Sequence, residues 1–125
     1  MDTNQIVLVI DDERAIREAV TDILSLYDVP VLAAADGEQG TILYAQHAAA
    51  IGLILLDLTL PGLSGEATFY RLRDLNPHVP IIISSGYRHN SMNARFPVGT
   101  PFLPKPYDLA RLTETVWQFL PKSPK

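Results

Sequence analysis

Five short apolar runs constrain the fold of this chain more than any other feature of its sequence. They occupy residues 6–10, 30–34, 53–56, 80–83 and 100–103. The runs are continuously apolar, which is typical of strands that are covered on both faces. Segments with helical periodicity separate most of them, and strands that alternate with helices form parallel sheets through crossover connections. The sequence therefore predicts an α/β fold with a doubly wound, five-stranded parallel sheet.

Four segments between and after the runs predict helices. They cover residues 13–27, 36–47, 65–75 and 107–120. Apolar side chains recur at helical spacing in the first and last of these segments. Ser64 precedes the third segment and can cap it through its hydroxyl.

The segment from Gly86 to Gly99 is poorly periodic. Its asparagine and serine side chains compete with helical hydrogen bonds. Pro97 disfavours helical geometry at the residue before it, so a helix here must end early. We therefore expect about five helices in all, of which the fourth is short or irregular.

Length and composition exclude several classes of protein. A chain of 125 residues without cysteine predicts a single domain over residues 1–125, with a core of about 5–120, a tail at 121–125 and no disulfides. The net charge of −4 without a basic cluster argues against direct binding of nucleic acid. The uncharged stretch 39–56 is broken by polar residues and glycines, which argues against membrane insertion. The N-terminus lacks the features of a signal peptide, so we expect a cytoplasmic protein.

Polar residues lie just after four of the five apolar runs. They are Asp11 and Asp12, Asp57, Ser84 and Ser85, and Lys105. The carboxyl ends of the strands of an open parallel sheet lie along one edge, where ligands bind at the point at which the strand order reverses. Side chains that are distant in sequence are therefore expected to converge on one pocket.

Asp57 is the strongest candidate in this set. It is the only formally charged residue between Gln39 and Gly65, and an acid at the end of a buried strand is costly without a partner. Asp57 could instead cap a turn, and Asp11 and Asp12 could be acids that favour a helix N-terminus. Three carboxylates in one pocket repel each other, however, and Mg²⁺ with its oxygen ligands would relieve the repulsion.

Lys105 is the only lysine outside the tail, since the others are Lys122 and Lys125. A compact ammonium binds phosphate as a point charge, although a surface lysine is the simpler alternative. Prolines on both sides indicate a fixed backbone, and we predict a cis peptide between Lys105 and Pro106. With a serine hydroxyl as a further donor, these groups suit phosphoryl transfer to Asp57 as the nucleophile.

Four fragments of the sequence resemble one known family. They are residues 9–13, 55–65, 83–86 and 102–107, which read VIDDE, LLDLTLPGLSG, ISSG and FLPKPY. In this order and spacing, they resemble the receiver domain of two-component response regulators over about residues 5–120. The resemblance implies a flavodoxin-like fold with strand order 2-1-3-4-5.

The resemblance also implies a role for each matching residue. Asp57 would accept a phosphoryl group from a histidine kinase or a histidine phosphotransfer protein in a Mg²⁺-dependent reaction, with Lys105 beside it. The metal would be bound by Asp12 and Asp57 directly, by Asp11 through water and by the backbone carbonyl of Thr59. Ser85 and Phe102 match the two switch positions. Such a domain catalyses only its own phosphorylation and dephosphorylation, and a phosphorylation-dependent dimer is compatible with it.

Two departures from the family and three alternatives accompany this interpretation. Phe102 lacks the hydroxyl of the tyrosine that many members carry, so a switch here would work by packing alone, and the irregular segment 86–99 alters the usual output surface. A haloacid-dehalogenase-like phosphotransferase needs a second acid where Thr59 stands. A receiver-like interaction module that is never phosphorylated would not need the full set of site residues. A nucleotide-binding domain would need a glycine-rich loop after the first strand, which is missing.

Overall fold

The computed structural model describes residues 5–86 and 96–120. Five strands alternate with helices along the chain. The strands are β1 (Ile6–Ile10), β2 (Val31–Ala34), β3 (Ile51–Asp57), β4 (Ile81–Ser85) and β5 (Phe102–Pro104). The helices of the described ranges are α1 (Arg14–Ser25), α2 (Gly37–His47), α3 (Gly65–Leu75) and α4 (Leu109–Phe119).

The strands form one parallel sheet in the order β2-β1-β3-β4-β5. This confirms the predicted flavodoxin-like, doubly wound architecture. The order reverses at β1, whose neighbours are β2 and β3. Because β5 is an edge strand, Pro104 can lie in it without breaking a hydrogen bond to a further strand.

Apolar side chains cover both faces of the sheet, as the continuous apolar runs predicted. Along β3, Ile54 and Leu56 face α2 and α3, whereas Leu53 and Leu55 face α1 and α4. The core on the first face includes Phe96, whose ring lies 5.1 Å from that of Phe69 of α3. The sheet interior therefore offers no place for a charge except where the strands end.

Side-chain caps set the start of three helices. Asp36, Ser64 and Asp108 each accept a hydrogen bond from the backbone N–H three residues further on. The periodicity predicted that the last helix begins at Tyr107. Because Asp108 caps the helix, α4 begins at Leu109 instead. Glu13 precedes α1, and within the described residues its side chain makes no capping hydrogen bond.

Several predicted boundaries were wrong by a few residues. The first helix ends at Ser25 instead of residue 27, and the last strand is Phe102–Pro104 instead of 100–103. β3 is longer than its apolar run and includes Asp57 as its last residue. The predicted short fourth helix falls mostly on residues 87–95, which lie outside the described ranges. Of the helices in the described ranges, none is long and apolar enough to cross a membrane.

Substitution of Gly65 tests how closely the start of α3 packs against the end of β3. A Cβ added at Gly65 would collide with the backbone carbonyl oxygens of Leu58 and Asp57, neither of which can rotate away. We predict that Gly65→Ala lowers the free energy of unfolding by about 1–3 kcal/mol, the usual cost of overpacking. Urea denaturation followed by circular dichroism measures this value.

Gly86→Ala is the matched control for this substitution. Gly86 is exposed, and a Cβ there meets no described atom within 4 Å. Its stability should stay within about 0.5 kcal/mol of that of the wild type. Equal stabilities of the two variants would show that the contact at Gly65 does not limit the packing of α3.

Candidate functional site

The carboxyl ends of the strands bring the predicted site residues together. Asp11 follows β1, Asp57 ends β3, Ser85 ends β4 and Lys105 follows β5. These strand ends lie on one edge of the sheet, next to the reversal in strand order at β1 and β3. The convergence that was expected from the spacing of these residues is therefore present.

Three carboxylates form the acidic part of the site. Asp11, Asp12 and Asp57 each offer one oxygen, and these oxygens all lie within 4.8 Å of one another. Asp11 is 1 % exposed and Asp57 is 4 % exposed, whereas Asp12 is exposed to solvent. The cluster thus has two buried acids and one acid that faces the solution.

The ammonium of Lys105 lies among these acids. Its Nζ is 2.8 Å from Oδ2 of Asp11 and 3.5 Å from Oδ1 of Asp57. It is also 3.4 Å from Oε1 of Glu13. The backbone N–H of Lys105 donates to the carbonyl of Ser85 at 3.0 Å, and the peptide before Pro106 is cis, as predicted.

Backbone groups hold both buried acids in place. The N–H of Glu13 donates to Oδ1 of Asp11 at 2.9 Å, and the N–H of Thr59 donates to Oδ1 of Asp57 at 3.2 Å. Nη1 of Arg17 donates to the carbonyl oxygen of Asp11 at 2.9 Å. The positions of these carboxylates are therefore fixed by the loops that follow β1 and β3.

The charges in the site are unbalanced. Burial raises the pKa of Asp57 from 3.8 to about 6, and the carboxylate of Asp11 adds to this effect. Lys105 and the N–H of Thr59 oppose the rise without cancelling it. Burial alone would lower the pKa of Lys105, but its contacts with Asp11 and Asp57 outweigh burial and raise that pKa. The carboxylates of Asp11, Asp57 and Glu13 lie around this single ammonium, so the site has an excess of negative charge.

The donor set fits a hard divalent cation. It consists of closely spaced carboxylate oxygens, and the repulsion that raises the pKa of Asp57 is what a cation would remove. Mg²⁺ is commonly bound by one or two carboxylates together with water and phosphate oxygens. The acidic cluster could therefore hold the Mg²⁺ that the sequence predicted.

The two serines at the end of β4 have different surroundings. Ser84 and Ser85 are both buried, and successive strand residues point to opposite faces. The hydroxyl of Ser84 shares a hydrogen bond with the phenol of Tyr107. Burial raises the pKa of Tyr107 to about 12, against the opposing effect of this hydrogen bond, so the phenol stays neutral. The hydroxyl of Ser84 is therefore engaged with the phenol of Tyr107.

Sequence reasoning gave no site role to two residues that contact the predicted ones. Glu13 reaches Lys105, and Tyr107 reaches Ser84. Both residues occur inside the quoted fragments VIDDE and FLPKPY, which is the signal that could have drawn attention to them. Phe102, the predicted aromatic switch, is half-buried and packs against the core on the side of α2 and α3.

Comparison with known proteins identifies the family. The model of the response regulator receiver domain matches residues 7–117. The receiver domain of the hybrid histidine kinase CckA is 33 % identical with a TM-score of 0.80, over 93 % of this chain and 99 % of that one. A chain of the CheX–CheY–BeF3–Mg²⁺ complex from Borrelia burgdorferi is 25 % identical with a TM-score of 0.85, over 94 % and 90 %.

Curated relatives differ widely in length. The sensor kinase CckA of Brucella abortus is 28 % identical over 118 residues, which are 93 % of this chain but 12 % of the relative. Sporulation initiation phosphotransferase F of Bacillus subtilis is 25 % identical over 121 residues, 94 % of this chain and 95 % of that protein. The chain thus spans only 12 % to 23 % of the length of several of the curated relatives that it matches.

The chain belongs to the response regulator receiver domain family, because the family model covers most of its length. It is a phosphoacceptor receiver domain of two-component signalling. The resemblance in the four sequence fragments is thereby confirmed.

The raised pKa of Asp57 predicts a pH-dependent effect of Asp57→Asn. The carboxyl of Asp57 ionises near pH 3.8 in the unfolded chain but only near pH 6 in the folded protein. The free energy of unfolding therefore falls as the pH rises from about 3.8 through about 6. In EDTA at about pH 7.5, the variant should be more stable by about 1–2 kcal/mol, because each pH unit between the two pKa values corresponds to about 1.4 kcal/mol and solvent screens part of the repulsion. At about pH 4.5, less than one pH unit above the unfolded pKa of 3.8, the gain should fall to roughly a third of this value.

Urea titrations at both pH values measure this difference. Asp22→Asn removes an exposed carboxylate of α1 and should show no comparable gain. If Asp57→Asn has the same stability as the wild type at the higher pH, the repulsion among the buried acids is too weak to matter.

Proposed function

We propose that Asp57 is the residue of this receiver domain that accepts the phosphoryl group. The observation that carries this proposal is the position of its carboxylate. Asp57 is almost completely buried at the edge of the sheet, with an ammonium 3.5 Å away and two further acids within 4.8 Å. A structural carboxylate would not need two like-charged neighbours, since their repulsion only destabilises it.

The proposed donor is a phosphohistidine of a histidine kinase or a histidine phosphotransfer protein. An oxygen of Asp57 attacks the phosphorus, the P–N bond breaks, and the imidazole leaves with the electron pair of that bond and takes up a proton. The ammonium of Lys105 balances the negative charge that arrives on Asp57. The chain would carry out no other reaction than this transfer and the later hydrolysis of its own acyl phosphate.

Mg²⁺ supports this reaction by offsetting charge on the transferred oxygens when it is bound. Asp11, Asp12 and Asp57 would hold it, together with the backbone carbonyl of Thr59. The cluster of carboxylate oxygens supports this assignment, and so does the structural neighbour from Borrelia burgdorferi, which is a complex with BeF3 and Mg²⁺.

The proposed response to phosphorylation runs through Ser85 and Phe102. Ser85 is buried at the end of β4, and its carbonyl oxygen accepts the N–H of Lys105. A shift of Ser85 toward the phosphoryl oxygens would therefore also move the backbone of Lys105, at the start of the loop after β5. Phe102 begins β5, pairs in register with Ile83, and lacks a hydroxyl, so it would respond by repacking.

The site predicts phosphorylation of one residue. Treatment with acetyl phosphate and Mg²⁺ should add one phosphoryl group to the wild type, and intact-mass spectrometry measures it. Asp57→Asn should gain none, because an amide is not a nucleophile of this kind. Asp22→Asn, which keeps the whole site, should be modified like the wild type. Wild-type stoichiometry on Asp57→Asn, or an unmodified wild type, would contradict the proposal.

The acidic cluster predicts an effect of Asp12 on metal binding. Removing one of three carboxylates by Asp12→Ala should weaken Mg²⁺ binding by about tenfold or more, because the affinity of oxygen sites follows the charge of their ligands. Isothermal titration calorimetry measures this affinity, and Asp22→Ala is the control. Unchanged affinity of Asp12→Ala would show that Asp12 is not a ligand.

A further inference from the structure

The side chain of Glu13 does not cap the helix that it precedes. Glu13 is the N-cap residue of α1, with φ −88° and ψ 115°, but its side chain forms no capping hydrogen bond within the described residues. The N-caps of α2, α3 and α4 are Asp or Ser residues whose side chains do cap the helix. Glutamate is not a preferred N-cap residue. Its presence here calls for another explanation.

The carboxylate of Glu13 is directed at Lys105 instead. Oε1 lies 3.4 Å from Nζ of Lys105, and the two residues are 92 positions apart in sequence. Lys105 therefore contacts three acids, of which Asp11 and Asp57 are buried. The side chain of Glu13 is 62 % exposed, so it approaches the ammonium from the side of the solvent.

This contact conflicts with the proposed role of Lys105. An ammonium has three N–H donors, and three carboxylates already surround this one. A phosphoryl group on Asp57 needs the same donors for its own oxygens. Asp11 and Asp57 are fixed by backbone hydrogen bonds, whereas the exposed Glu13 can turn into solution at little cost. Glu13 is thus the carboxylate that a phosphoryl oxygen would displace.

We propose that Glu13 is a positioning residue that competes with the phosphoryl group for Lys105. It holds the ammonium while Asp57 is unmodified, and its negative charge repels anionic phosphoryl donors that approach the site. Both effects slow the phosphorylation of Asp57 and favour the unphosphorylated state. The inference rests on the proposed function, because it concerns the same aspartate and lysine.

Glu13→Gln tests the competition with little change of shape. The initial rate of phosphorylation is measured against acetyl phosphate concentration at saturating Mg²⁺, and the affinity for BeF3⁻ is measured at equilibrium by NMR titration. We expect the rate at low donor concentration and the BeF3⁻ affinity each to rise about three- to tenfold, as for removal of a nearby like charge. The gain should shrink at high ionic strength, because salt screens an exposed charge.

Two further variants separate this role from a general effect of charge. Glu18→Gln removes an exposed acid of α1 that pairs with Arg14 at 2.8 Å, and it should behave like the wild type. Glu13→Asp keeps the charge but shortens the side chain, so its rate should lie between those of the wild type and Glu13→Gln.

The possible outcomes distinguish this inference from the proposed function. A wild type that neither gains phosphate nor binds BeF3⁻ overturns both. If the wild type is phosphorylated at Asp57 but Glu13→Gln has wild-type rate and affinity, only the competition is refuted. A rate that falls in Glu13→Gln also refutes it, since Glu13 would then hold Lys105 in its productive position.

Discussion

The burial of the sheet on both faces is the constraint on which the rest of this structure depends. Within residues 5–86 and 96–120, two helices cover each face, and the strand interiors contain apolar side chains that touch one of two cores. A charge inside such a sheet would lose its hydration without a partner. Charged side chains are therefore confined to the strand ends, and the parallel arrangement gathers the carboxyl ends at one edge. The site is a consequence of how the core is covered.

The electrostatics of that edge follow from the same burial. Burial removes Asp57 from most of its contact with water, and this desolvation, together with the nearby carboxylate of Asp11, raises the pKa of Asp57 to about 6. Lys105 opposes part of this rise, and its own pKa rises because the carboxylates outweigh its desolvation. A site with this imbalance attracts cations and resists further negative charge. That property is compatible with the proposed phosphorylation of Asp57 in the presence of a metal ion.

The residues that hold the site are themselves fixed by ordinary backbone interactions. The N–H groups that follow Asp11 and Asp57 bind their carboxylates, and the backbone of Lys105 is paired with that of Ser85. Gly65 lets α3 start directly against the carbonyl of Asp57. Stability and chemistry thus depend on the same loops.

The sequence by itself determined the parallel sheet, its strand order through the family resemblance, and the acids and lysine of the site. The sheet and the site residues could be predicted because they depend on a local pattern, an apolar run that ends close to a polar residue. The tertiary structure alone decided which serine hydroxyl pairs with Tyr107 and that Glu13 reaches Lys105. Such contacts join residues far apart in the chain. Their distances depend on how the loops after separate strands pack together, and no local pattern encodes that packing.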